Sequence, residues 1–174
     1  MRINIIKVKL LTDVHLMAEY REINMSIHYY RKSLNTKNGI DYSRVSDKYL
    51  LNKGHAYFFY NKFTFIMNRF NELHDEMIAR CYETSDMKNM FLNLFNDNVK
   101  FKDRNDYEVT YEDKLINLER ILNKIQYMEF IKNRKSFYKW NRKSMSFNEW
   151  VIFYKEHLDI KDEDIKKIVE NIIN

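Results

Sequence analysis

The chain has 174 residues, 45% of them hydrophobic, with no proline, two glycines and one cysteine. That length buries one substantial core and is short for two ordinary domains. The scarcity of proline and glycine removes the usual punctuation of hairpins and tight turns, so an all-α fold is expected. Thirty Lys and Arg against 25 Asp and Glu give a formal charge of +5, which favours a polyanionic partner where the positive residues cluster. Cys81 alone excludes an internal disulfide. Charges interrupt every hydrophobic run, so neither a signal-like nor a membrane-spanning stretch is expected, and the expectation is a soluble, intracellular protein.

After an extended start, Thr12 or Asp13 can cap a helix with apolar residues at Leu16, Tyr20, Ile23, Ile27, Tyr30 and Leu34, the three-and-four spacing of a buried stripe. This predicts a helix over about 13–36, closed near Asn38-Gly39. Phe59, Phe63, Ile66, Phe70, Leu73 and Met77 form a second stripe and predict a helix over about 56–82. Residues 84–109, rich in Asn, Asp and Lys, read mainly as a surface connection, with room for one brief helix at Met87, Met90, Phe91 and Leu94. Thr110 with Asp113 has capping-box spacing before Leu115, Leu118, Leu122 and Ile125, a third helix ending somewhere in 126–133. Ser146 with Glu149 repeats the signature, and Asp159 precedes Ile165, Ile168, Val169 and Ile172, so two short C-terminal helices are expected. The architecture expected is a compact bundle of three main helices with two short extra C-terminal ones, a domain over 1–143 carrying an extension over 144–174.

His15, Glu19 and Glu22 fall at i, i+4 and i+7 on one helix side. The spacing is one that a metal could use, but no cysteine partners it and the other histidines are scattered, so no metal is expected. Arg21, His28 and Lys32, with Arg31 nearby, make a basic band on a neighbouring face; alone it reads equally as a solvated face with i, i+4 ion pairs. A second cluster shifts the balance. Lys132, Arg134, Lys135, Lys139, Arg142 and Lys143 interleave with Phe137, Tyr138 and Trp140, cations for phosphates beside flat rings for bases. No phosphate-cradling glycine loop or nucleophile elbow is present.

Three blocks carry a resemblance. Arg2-Ile3-Asn4 and Asp13-Val14-His15-Leu16-Met17-Ala18-Glu19-Tyr20-Arg21-Glu22 resemble the opening of the phage pyrimidine-dimer DNA glycosylases of the endonuclease V type. Gly54-His55-Ala56-Tyr57-Phe58-Phe59-Tyr60-Asn61-Lys62 looks like the start of that family's second long helix. Ser136-Phe137-Tyr138-Lys139-Trp140 looks like its aromatic and basic tail. The resemblance implies a helical bundle in which the N-terminal amine lies beside a glutamate, here Glu22. In that family the amine attacks the sugar carbon of the damaged nucleotide, expels the base through a Schiff base, and then cuts the strand by elimination, without metal or organic cofactor.

The residues suit that chemistry. An α-amine titrates near about 7.7 to 8.0, well below a lysine, so a useful fraction is uncharged at neutral pH. A carboxylate at Glu22 can stabilise the cationic intermediate and accept the sugar proton. Met1 stands where the family has a processed threonine, and the bulk of Arg2 is expected to protect it from removal, so the expected nucleophile is the amine of Met1. Arg2 and Arg21 suit phosphates, and His15, Tyr20, Arg31, Lys32, Phe137, Tyr138, Lys139 and Trp140 complete the expected DNA surface. Met25 and Phe137 replace an arginine and a tryptophan of the family, and the residues beyond Lys143 have no counterpart in it.

The reading is therefore a DNA repair glycosylase with strand-nicking AP lyase activity on ultraviolet-induced cyclobutane pyrimidine dimers. Its expected partner is double-stranded DNA containing pyrimidine dimers, with no membrane, and it is expected to act as a monomer in cytoplasm or nucleus, a viral gene being one source that fits. The alternative is a DNA-binding module on the same scaffold that is catalytically inactive or differs in specificity.

Overall fold

A computed structural model describes residues 2–84, 86–134 and 137–173, with the side chains of all but Lys53. Among these residues the fold is all-α apart from one two-residue ribbon. The chain forms two compact units, residues 1–3 with 17–108 and residues 4–16 with 109–174.

The first unit contains most of α1 (Asp13–Glu22), then α2 (Met25–Leu34), the short α3 (His55–Phe58), α4 (Phe63–Ala79) and α5 (Met87–Asn98). The first apolar stripe is buried as expected at Leu16, Tyr20, Ile23, Ile27 and Tyr30, but the single helix over 13–36 is broken at Ile23-Asn24. The cause is local. Ser26 Oγ donates to the carbonyl of Ile23 at 2.6 Å, while the amides of Ser26 and Ile27 bond three residues back, to Ile23 and Asn24. A serine that bonds back onto its own helix bends it. Gly39, with φ +66°, serves a turn beyond the helix rather than its cap, since α2 ends at Leu34.

The helix expected over 56–82 is likewise two, and one side chain explains the break. The carbonyl of Phe58, which a continuous helix would give to the amide of Lys62, accepts from Lys62 Nζ at 3.0 Å. That ammonium, 6% exposed, also donates to Ser46 O and Asn61 Oδ1, and burial lowers its pKa. The Lys62 amide turns to Phe59 instead. Downstream, Phe63, Ile66, Phe70 and Leu73 are wholly buried. Residues 84–109 are not mainly a surface connection. Their 12-residue helix α5 stacks Phe91 on Phe70 with ring centres 3.9 Å apart, its apolar positions hidden in sequence by the asparagines around them.

The second unit takes the start of α1, where Thr12 Oγ1 accepts from the His15 amide at 3.1 Å and so acts as the N-cap. Both expected capping boxes form, Thr110 with Asp113 opening α6 (Tyr111–Gln126) and Ser146 with Glu149 opening α7 (Phe147–His157). A π-helical turn, Tyr127–Ile131, follows α6, and α8 is Asp162–Ile173; α7 and α8 both pack against α6. The ribbon pairs β1 (Lys139–Trp140) with β2 (Lys143–Ser144). Its two-residue turn puts Asn141 and Arg142 at φ 47° and 66°, a hairpin made without glycine. The Asp13 carboxylate holds that turn by accepting from both amides, at 2.9 and 2.7 Å.

In the first unit a 3-10 turn, Phe101–Asp103, buries the Asp103 carboxylate, which accepts from the phenols of Tyr30 at 2.5 Å and Tyr42 at 2.8 Å. Burial first, and then the bond to Asp103, pushes the Tyr42 phenol up to about 12 and the Tyr30 phenol higher still. Both lie above the ordinary tyrosine value of about 10. Stability from a group whose folded pKa is raised is complete below the unfolded value and is lost as pH rises through the folded one. Tyr42→Phe should therefore cost roughly 1 kcal/mol below pH ~10, and its deficit against wild type should shrink as pH climbs towards about 12. Urea midpoints at pH steps across that window measure it, and a deficit independent of pH would refute the assignment.

Candidate active site

Helix α1 carries three carboxylates, Asp13, Glu19 and Glu22. Asp13 holds the ribbon turn. Glu19, 1% exposed, receives Arg69 of α4 in a two-point bond, Nε to Oε1 at 2.7 Å and Nη2 to Oε2 at 3.1 Å. Arg69 is itself 3% exposed, with Glu72 a further 4.0 Å away. The helical spacing of His15, Glu19 and Glu22 is thus not a ligand set: Glu19 is neutralised in the core.

Glu22, the last residue of α1, remains half-buried at the surface. It lies between Glu19, paired with Arg69 one turn earlier, and Ile23, which is 0% exposed and carries the Ser26 bond. Arg21 beside it is exposed, as are His28, Arg31 and Lys32 on α2. The expected basic band is therefore solvent-facing, with Arg31 and Lys32 in the last turn of α2.

Tyr20 requires a correction. Expected on the DNA surface, it is 2% exposed and stacks on Phe70, because its position falls on the apolar stripe of α1. Its hydroxyl meets His74 Nδ1 at 2.9 Å and Thr84 O at 3.1 Å, and burial raises its pKa.

In the second unit His15, half-buried, bonds to Thr12 Oγ1 through Nδ1 and lies parallel to the Tyr138 ring at 5.0 Å. Tyr138 is 7% exposed, so its ring is spent on His15 and is not presented to a base. Trp140 is half-buried; its Nε1 donates to Lys9 O at 2.9 Å and its ring leans on Phe153. Phe137 is more open, with Arg134 above its ring. Lys132, Arg134, Lys139, Arg142 and Lys143 are exposed, while Lys135 and Ser136 of this segment lie outside the described residues.

At the front of the chain Arg2 is exposed, and Met1 lies outside the described residues. Ile3 is 0% exposed, and its two backbone groups are held by side chains, one from the second resembling block and one, Tyr49, that no motif singles out. His55 Nε2 accepts from its amide at 2.9 Å, and Tyr49 Oη donates to its carbonyl at 2.8 Å. In the second unit Asn117 of α6 does the same work for its neighbours. Its Oδ1 accepts from the amides of Ile5 and Ile6 at 2.9 and 3.2 Å, and its Nδ2 donates to Asn4 Oδ1 at 3.1 Å. Arg120 donates to the same Asn4 oxygen. The available signal for Asn117 was a polar residue one turn before Ile121, on the buried stripe of its helix.

Because Arg69 and Glu19 are both buried, removing one strands the other charge, which costs about 3–5 kcal/mol. Arg69→Met should lower stability by that amount, whereas pairing it with Glu19→Leu should recover most of the loss. Chemical denaturation of the single and double variants checks this; equal losses in both would assign the cost to packing rather than charge.

Residues 1–90 match the family model described as pyrimidine dimer DNA glycosylase. The matched span holds Arg2, Ile3, His15, Glu19, Arg21, Glu22, Tyr49, His55 and Arg69, and stops short of the aromatic and basic tail. It covers 90 of the 174 residues, more than half of the chain, so this protein belongs to the pyrimidine dimer DNA glycosylase family.

Proposed function

We propose that this chain excises pyrimidine dimers from double-stranded DNA and nicks the strand as an AP lyase, with the α-amine of Met1 as nucleophile and Glu22 as the carboxylate that serves it. The observation that carries the reading is the family match over residues 1–90, a span that contains Arg2, Arg21 and Glu22, with Glu22 half-buried at the last position of α1.

The steps balance with these groups and solvent water, which protonates O4′ and finally hydrolyses the imine to free the amine. The neutral amine attacks C1′ of the damaged nucleotide, the C1′–N bond to the pyrimidine breaks, and the base leaves with the bonding pair. One amine proton passes to the departing base, and the sugar ring then opens as the nitrogen forms an iminium to C1′ and O4′ takes a proton from water. Glu22 in its ionised form stabilises the cation and takes a proton from C2′, and the electrons freed expel the 3′ phosphate. A damaged base inside a duplex is reached by extruding a nucleotide, which a lesion makes less costly. Arg2, Arg21, Arg31, Lys32 and Lys139 would bind phosphates, with His15, Phe137 and Trp140 bordering the duplex. The protein would act as a monomer.

Borohydride trapping on a thymine-dimer duplex tests the chemistry. Wild type should give a covalent adduct mapping to the N-terminal amine. Glu22→Gln should slow adduct formation and cleavage roughly 100-fold or more while sparing lesion binding. An uncleaved N-terminal tag, which turns the amine into an amide, should abolish both. An adduct on Lys7 or Lys53 would overturn Met1 as nucleophile, and lesion binding with neither adduct nor cleavage would favour the inactive DNA-binding module.

The phosphate contacts have their own test. Affinity for undamaged duplex should fall steeply with salt, and Arg21→Ala or Lys139→Ala should each reduce the log–log slope by about one. An unchanged slope in both variants would move the DNA surface elsewhere.

A further inference from the structure

We propose that His55, assisted by Tyr49, is the positioning residue for the N-terminal nucleophile, an inference that rests on the reading of Met1 as the reacting amine. Ile3 sits in the core with no sheet or helix partner for its backbone among the described residues. Its amide and carbonyl are each claimed by one side chain, His55 Nε2 at 2.9 Å and Tyr49 Oη at 2.8 Å. Two bonds, one to the amide and one to the carbonyl of the same residue, fix both the place and the direction of the chain as it leaves Ile3 towards its first residue.

The imidazole can do this in one protonation state. His55 Nδ1 lies 2.8 Å from Leu50 O, and a carbonyl only accepts, so Nδ1 carries the hydrogen. The Ile3 amide only donates, so Nε2 offers its lone pair. His55 is the neutral Nδ1–H tautomer. Its ring is held edge-on between Tyr49 at 5.5 Å and Phe59 at 5.2 Å, and Tyr49 in turn meets Phe58 edge-on at 5.6 Å. His55 and Tyr49 are 5% and 1% exposed, so neither touches a substrate.

The consequence for catalysis is geometric. Two residues separate the anchored position from the first amine, a tether of about 7 Å at full extension. Fixing Ile3 sets that length as the upper bound on the distance from the anchor to the amine; where Ile3 is loose, the bound widens and the effective concentration of the nucleophile falls. A misplacement of about 1 Å can cost roughly 100-fold in rate.

The test separates positioning from both binding and folding. Single-turnover formation of the borohydride-trapped adduct is measured on abasic-site duplex, and affinity on duplex carrying an uncleavable tetrahydrofuran site. His55→Leu removes the acceptor and should slow adduct formation roughly 100-fold with affinity unchanged. His55→Gln, whose Oε1 can take the Ile3 amide, should restore most of the rate, and Tyr49→Phe, which keeps the ring, should give an intermediate loss. A folded His55→Leu that reacts at the wild-type rate, or a Gln variant no faster than the Leu one, overturns the proposal. If His55→Leu does not fold, wild-type rates in Tyr49→Phe together with a loss of affinity in His55→Gln overturn it equally. Peptide mapping of the wild-type adduct keeps the two readings apart. An adduct on a lysine overturns the N-terminal amine and this inference with it, whereas an N-terminal adduct indifferent to His55 overturns this inference alone.

Discussion

A buried peptide without a sheet or helix around it must find its hydrogen bonds elsewhere, and this chain opens with a run of such residues. Ile3, Asn4, Ile5 and Ile6 are all 6% exposed or less, and none of them belongs to a helix or strand. A buried amide left unpaired costs about 1–3 kcal/mol, so the segment is stable there only because side chains from distant positions supply its partners. His55 and Tyr49 do so in the first unit and Asn117 in the second. The position of the chain's first residues is in this sense encoded at 49, 55 and 117.

The same economy governs α1. The charged residues of its motif look alike in sequence and are put to different uses: one carboxylate ties down a turn, one is locked to Arg69, and one stays near solvent. The buried ion pair is weak as a source of stability, since desolvation offsets most of its attraction. Its effect is to fix register, because Glu19 can meet Arg69 in both bonds in one rotational setting of α1 against α4. The helix then ends at Glu22, where the Ser26 bond to Ile23 bends the chain, one turn beyond the ion pair.

Much of this is legible in the sequence. The apolar stripes of α1, α4 and α6 and both capping boxes follow from periodicity and local chemistry, which need no partner elsewhere in the chain. The breaks are not legible, because a serine at 26 and a lysine at 62 are ordinary in a helical pattern until their side chains are seen taking main-chain carbonyls. The helix α5 reads largely as connection because its aromatic residues are diluted by Asn and Asp. Among the expected site residues, Arg2, Arg21, Arg31, Lys32 and Lys139 are exposed. Tyr20 and Tyr138 are not, since a tyrosine on an apolar stripe or beside a half-buried histidine satisfies packing before it satisfies a ligand. That His55, which stands in the second resembling block, and Tyr49 and Asn117 hold the N-terminal segment is not legible, as their partners are peptide groups, which every position possesses.

That long-range anchoring has a consequence in time. Ile5 can close onto Asn117 only after a residue 112 positions further on has been made. At about 5–20 residues per second, Ile5 waits on the order of ten seconds for that partner. Throughout that interval the amides of Ile5 and Ile6 bond to water, so this part of the N-terminal anchoring is completed after most of the chain has been made.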